Sequence, residues 1–257
     1  MHRDEAIVLL AKDYIKHRSN RLKLIEDLRV DGWDLSEWTI DDFVKDVEKN
    51  DDDPSSTLIL KNGLFENFKT GDFSDVMEAK YDELLFAESI PAYGFWANEY
   101  LVEKVNELNY DVETVEGEIA NVFSCPCCGR DTLPERHGWD ICPICWWEDD
   151  GTDNAEASLY YSGPNKGLQL TEGRINFQIF GIYNPNRKDL MENRAPVEMF
   201  NQSRFFEIDE AKKIILEKDS DWWAPLAPPH LKDGEAKPKV SLAGAGMRNW
   251  PPLPEEE

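Results

Sequence analysis

The chain has 257 residues, of which 52 are acidic and 28 basic, giving a formal net charge of −24. A chain of this length can bury a full hydrophobic core, so its five cysteines are not needed as disulfide staples. Such a charge repels nucleic acid and anionic lipid surfaces unless one face is locally inverted; it either draws in a basic protein by long-range steering or simply keeps the chain soluble.

The opening "MHRDEAIVLLAKDYIKHR" does not read as a signal peptide: its apolar stretch is short, charge follows directly, and it shows no small-residue cleavage site. No apolar run is long enough to span a bilayer. The expectation is a soluble cytoplasmic protein, in a compartment where clustered thiols stay reduced.

Residues 1–110 read as a mostly helical domain whose task the sequence does not disclose. Ile7, Leu10, Ala11, Tyr14 and Ile15 form one helical stripe; after a break near Ser19, Leu22, Ile25 and Leu28 form a second, closed by Gly32. Thr39 is placed to cap a third helix, with Asp42 three residues on and Phe43, Val44 and Val47 facing inward. Trp33 and Trp38 flank a turn as core anchors. "KNDDDPSS" reads as a loop, and a later helix carries Trp96, Tyr100, Leu101, Val105 and Leu108. The β-branched residues of "DVETVEGEIANVFSCP" then suggest one or two strands leading into the cysteines.

All five cysteines fall within residues 123–151, and four of them form two CxxC pairs, Cys125 with Cys128 and Cys142 with Cys145. A CxxC turn aims two sulfurs at one point. Proline inside it fixes φ, and glycine just after can take positive φ. "CPCCG" supplies both; "CPIC" has Trp146 where the first turn has Gly129. Two such turns present four sulfurs in a tetrahedron around a zinc ion. The set also suits iron. Four protein ligands leave no open position, so the ion would be structural. The connecting "RDTLPERHGWDI" is expected to form a hairpin, with Gly138 in its turn and Leu133 and Ile141 on its arms.

The neighbours of the pairs have plainer roles. Cys127 reads as a small buried residue, with an alternative ligand or a reactive thiol as the other readings. His137 is assigned to the surface. Glu148, Asp149 and Asp150 are adjacent and cannot all face one point, so they are expected to cap the turn or stay solvated. The module's fixed cations, Arg130 and Arg136, are outnumbered by acids, which disfavours nucleic acid despite Trp139, Trp146 and Trp147.

Beyond the cysteines a helix starting near Thr171 and ending at Gly181 is placed to cover them through Ile175, Phe177, Ile179 and Phe180. "FEIDEAKKIILEKDS" reads as an amphipathic helix, with Ile208, Ala211, Ile214 and Ile215 inward. The proline-rich tail after it reads as extended and partly disordered, pinned locally by Trp222, Trp223 and Trp250. The resulting expectation is an α+β chain. A helical domain at 1–110 precedes a zinc-ribbon-like β-hairpin module with a covering helix at 111–185, and a helix plus tail fill 186–257.

"CPCCG", "TL", "ICPICWWEDDG" and "GPNKGLQLTEGRINFQIFG", in this order and spacing, resemble the bacterial cysteine-rich CPCC domain family over residues 123–181. Trp146 stands where that family usually has phenylalanine, and Glu172-Gly173-Arg174 replaces an alanine-containing run. Gly173 should cost the helix about 1 kcal/mol relative to alanine. The resemblance implies a metal-binding accessory protein, of the kind that acts as an immunity protein beside a toxin. Together with the acidity it favours an interaction protein that neutralises a basic toxin domain. An enzyme with its site outside the module and a thiol or metal sensor are the alternative readings. The four histidines, His2, His17, His137 and His230, are scattered and form no catalytic arrangement with a serine or cysteine.

Overall fold

The structure, a computed structural model, describes residues 1–30, 35–49, 54–119 and 121–226. Gly32, Trp33, the acidic stretch 50–53 and the tail bearing His230 and Trp250 lie outside the described residues. The chain divides into two compact units, Met1–Glu118 and Ile119–Glu257.

The first unit is helical. Its helices are α1 (Arg3–Tyr14), α2 (Arg18–Val30), α3 (Ile40–Lys49), α4 (Pro54–Lys61), α5 (Phe65–Thr70), α6 (Asp82–Ser89) and α7 (Asn98–Glu107). α1 buries Ile7, Leu10 and Ala11, as its stripe predicts. It ends before Ser19, because the amides of Lys16 and His17 close tight turns onto Asp13 and Tyr14. Thr39 caps α3: its hydroxyl oxygen accepts from the Asp42 amide at 3.2 Å and its O–H donates to the Asp42 carboxylate at 2.6 Å. "PSS", expected in a loop, instead opens α4. Proline suits that first position because its missing N–H has no helical partner to lose.

Ile25, Phe43, Phe68, Tyr81 and Leu84 centre one core, with Trp38 packed edge-on to Phe43. Ala6, Leu10, Leu101 and Val105 centre a second. Buried Arg3 fastens the start of α1 by donating to Asn98 Oδ1 at 2.7 Å and Gly94 O at 2.8 Å.

The second unit is built from short antiparallel pieces around one helix. β1 (Phe123–Ser124) pairs with β2 (Asp131–Leu133), and β3 (Tyr161–Ser162) pairs with β4 (Leu168–Gln169). α8 (Leu170–Phe180) follows, then α9 (Lys188–Glu192). β5 (Phe206–Asp209), β6 (Ile214–Glu217) and β7 (Trp223–Pro225) form a sheet in that order. The α+β class is as expected, and α8 spans the predicted helix and ends at Gly181, but Ile175 and Ile179, expected to cover the cysteines, pack in the core with Phe206 and Ile215.

Three local expectations are refined or corrected. The strand leading into the cysteines is β1, confined to Phe123–Ser124, and among the described residues of 111–122 there is only an isolated bridge from Glu116 to His2. Leu133 and Ile141 are not arms of one hairpin: Leu133 pairs with Phe123 and is buried, whereas Ile141 pairs with Glu148 and is exposed. Each CxxC turn closes its own small ladder instead of sharing one.

Residues 206–220, expected as an amphipathic helix, form the β5–β6 hairpin, with Ile208 opposite Ile215. Phe206 and Ile215 lie in one core with Ile175 of α8 and Ala224 of β7. Pairing on both edges of β6 supplies the backbone partners that a helix would have supplied internally.

Candidate metal centre

The two CxxC turns share one backbone design. In the first, Cys125 N donates to Arg130 O at 2.8 Å and Gly129 N to Cys125 O at 2.9 Å. In the second, Cys142 N donates to Trp147 O at 2.9 Å and Trp146 N to Cys142 O at 2.9 Å. Gly129 has φ of 78° and Trp146 has φ of 66°, so the tryptophan accepts the left-handed conformation that the glycine takes freely. Gly129 is required for a second reason: a Cβ there would fall on the carbonyl oxygen of Arg204.

These turns bring Cys125, Cys128, Cys142 and Cys145 together, all fully buried, with their sulfurs within 4.8 Å of one another. Sulfurs from opposite turns lie close: Cys125 to Cys145 and Cys128 to Cys142 are each 3.6 Å apart. A disulfide would need about 2.05 Å. Four sulfurs at about 2.3 Å from a tetrahedral ion stand roughly 3.8 Å apart. The donor set and its spacing therefore fit a four-coordinate metal ion, and these residues could hold one.

The electrostatics point the same way. Burial pushes the thiols of Cys125, Cys128 and Cys145 up. Burial opposes ionisation of Cys142 as well, but hydrogen bonds from the other three sulfurs outweigh it and hold that thiol well below its ordinary value. One thiolate is thus tolerated, and four need a cation. Metal uptake here would release protons. Two further donors face the sulfurs, the Cys127 amide onto Cys125 at 3.4 Å and the Thr132 hydroxyl onto Cys142 at 3.3 Å.

α8 covers this cluster along a face that includes Gly173. A Cβ on Gly173 would stand 2.8 and 2.9 Å from Cζ3 and Cε3 of Trp147, and 3.3 Å from the Cys127 sulfur. Trp147 is fully buried and packs edge-on against Tyr183. The glycine that weakens the helix in sequence terms is what lets α8 approach the cysteine turns. Cys127 is fully buried and lies outside the four-sulfur group, the position of a small core residue.

The next residue of α8, Arg174, is fully buried. Its Nε donates to Pro126 O inside the first turn at 2.7 Å, and its Nη1 to Asn154 Oδ1 at 2.8 Å. The guanidinium carbon sits 4.1 Å from the ring centre of Phe206 and 4.3 Å from that of Trp222. Burial draws the Arg174 guanidinium down to about 10. Asp153 receives Arg136, Arg174 and Arg204. Burial works against its charge, but Arg204 and then Arg174 hold the carboxyl down at about 2.

The acidic run resolves into separate roles. Asp149 is fully buried and caps the turn, accepting from Arg136 Nε at 2.8 Å and the His137 amide at 3.0 Å. Asp150 accepts from the Thr152 amide at 3.1 Å, and the Glu148 amide donates to Asn165 Oδ1 at 2.9 Å. His137 is exposed, as expected.

Sequence reasoning missed Arg174, Arg204, Asp153 and Glu172. The partners of the first three are distant in the chain, so periodicity carries no trace of them. The one readable signal was a capping box at the start of α8. There Glu172 Oε2 accepts from the Gln169 amide at 2.8 Å, and burial pushes the Glu172 carboxyl up to about 7.

No helix among the described residues is long and apolar enough to cross a membrane. No curated protein and no solved structure matches the chain. Residues 123–198 match the model of the family described as Cysteine-rich CPCC, which reaches past α8 and α9 beyond the stretch quoted from the sequence. Two CxxC turns and a buried four-sulfur cluster lie within this segment, which is similar to the cysteine-rich CPCC family over those residues.

Proposed function

We propose that the chain is a metal-binding interaction protein of the cytoplasm, in which Cys125, Cys128, Cys142 and Cys145 hold one structural zinc ion. The observation that carries this reading is the buried tetracysteine cluster. Four protein sulfurs fill a tetrahedral shell and leave no position for water or substrate, so the ion would fold the domain and take no part in turnover. Five buried free cysteines favour a reducing compartment.

The partner proposed is a basic protein, such as a toxin domain that this chain would neutralise as an immunity protein. The support is electrostatic. A net charge of −24 steers cationic surfaces toward the protein and repels polyanions. The exposed acids Asp41 and Glu48 of α3 belong to the face assigned to such contact.

Native mass spectrometry of the protein taken from its own host tests both parts. One zinc and a basic co-purifying protein are expected, with the partner lost from Asp41→Lys/Glu48→Lys at low salt. Absorption of an iron–thiolate centre in the visible would replace zinc by iron. A folded protein without metal would refute the metal reading. A partner that binds the charge-reversed variant equally well would refute the acidic-face reading.

A further inference from the structure

The two cysteine turns are alike, yet different parts of the chain hold them. The second is braced from within the matched segment: Tyr183 N donates to Cys145 O at 3.0 Å and Ala195 N to Pro143 O at 2.9 Å. The first takes one brace from that segment, Arg174 onto Pro126 O at 2.7 Å. The others come from beyond residue 198. Ser203 N and Arg204 N both donate to Gly129 O, at 3.1 and 3.2 Å. Asp131 N donates to Asn201 O at 2.9 Å, Arg130 Nη1 to Phe200 O at 2.9 Å, and the Ser203 hydroxyl to Asp131 Oδ2 at 2.6 Å.

Arg204 is itself anchored, with Nε on Glu217 Oε1 of β6 at 2.6 Å and Nη2 on Asp153 Oδ1 at 2.8 Å. The bare backbone of Gly129 is what lets this segment come so close.

We propose that residues 200–204, with Arg204 as a positioning residue, complete the metal centre by holding the Cys125–Cys128 turn in its metal-ready shape. Metal retention by the first cysteine pair is then set outside the CPCC segment. This deepens the metal reading above and rests on it. The physical reason is preorganisation: a thiolate pair held in place by its turn rebinds before solvent or a chelator can displace it. A turn freed from its braces lets Cys125 and Cys128 leave, while Cys142 and Cys145 keep their own support.

The test uses the full chain loaded with zinc. Zinc transfer to a chromophoric chelator is timed, and mass spectrometry follows which cysteines a thiol reagent labels first. Arg204→Met should release zinc about tenfold faster, the scale at which partners of metal ligands act. Cys125 and Cys128 should be labelled ahead of Cys142 and Cys145.

Arg204→Lys keeps the charge without the planar fork and should fall between the two. Ser203→Ala, a milder loss, should show the same labelling order at a smaller rate. Lys212→Met, at the exposed β5–β6 turn, should change neither readout. Wild-type retention in Arg204→Met, or equal labelling of all four cysteines, would overturn the brace. A wild-type chain that never binds zinc would remove the metal reading, and the brace with it.

Discussion

Gly173→Ala sets two physical effects against each other with opposite signs. Helix propensity alone favours alanine by about 1 kcal/mol at an interior helical position. The tertiary structure opposes it, because the added methyl would stand 2.8 and 2.9 Å from two ring carbons of Trp147. Carbon atoms pack at about 3.5–4.0 Å, so the ring or the helix must yield by more than half an ångström. Trp147 is fully buried and flanked by Tyr183, and overpacking of that kind costs about 1–3 kcal/mol.

The expected balance is a net loss of about 1 kcal/mol, worth roughly 3–5 °C in Tm for a unit of this size. The displacement also reaches the metal centre, since Trp147 O holds the Cys142 amide at 2.9 Å. Zinc should therefore leave the variant faster than the wild type. Calorimetry of zinc-loaded protein measures the first effect and chelator transfer the second. A double-mutant cycle with Trp147→Leu should show coupling of at least about 0.5 kcal/mol, as expected for residues in contact. A Gly173→Ala protein that melts higher and holds zinc as well as the wild type would refute the packing argument.

Glu172→Gln keeps the acceptor for the Gln169 amide and removes the ionisation. The folded carboxyl sits at about 7 against an ordinary 4.5, so the folded state holds a proton that the unfolded state loses, and wild-type stability falls as pH rises between those values. The shift corresponds to on the order of 3 kcal/mol. The variant should match the wild type near pH 5 and exceed it above about pH 7 in denaturant titrations, and a constant difference across that range would refute this. Arg174→Met should cost about 3 kcal/mol by leaving buried acceptors without their cation, read as a lower midpoint for the unit that holds Trp222; an unchanged midpoint would count against its structural role. Cys142→Ser should lower zinc affinity by orders of magnitude while Cys127→Ala keeps one zinc per chain, and equal losses in the two would make Cys127 a ligand.

Much of the site was legible because its grammar is local. A CxxC pair fixes two sulfurs through a turn of four residues, and proline and glycine reveal the turn's φ angles. The close of α8 was legible for the same reason, through Gly181. The hairpin between the two pairs was misread because which strand pairs with which is not a local property. Leu133 could close on Phe123 or on Ile141, and the hydrogen bonds around each cysteine turn chose Phe123.

The sequence by itself determined the four-sulfur group, the helical character of residues 1–110 and the covering helix. Each follows from spacing within a few turns of chain. Only tertiary structure decided that "FEIDEAKKIILEKDS" becomes a hairpin. Its helix formers favour one state, while Phe206, Ile208 and Ile215 serve either. Pairing of β6 with β7 on one side and packing of Phe206 against Arg174 on the other settle the choice. Tertiary structure also decided why residue 173 is glycine and why Arg174 can be buried, since both depend on what stands opposite α8 in space. A local pattern records what a residue prefers, and burial against a distant partner decides whether that preference is met.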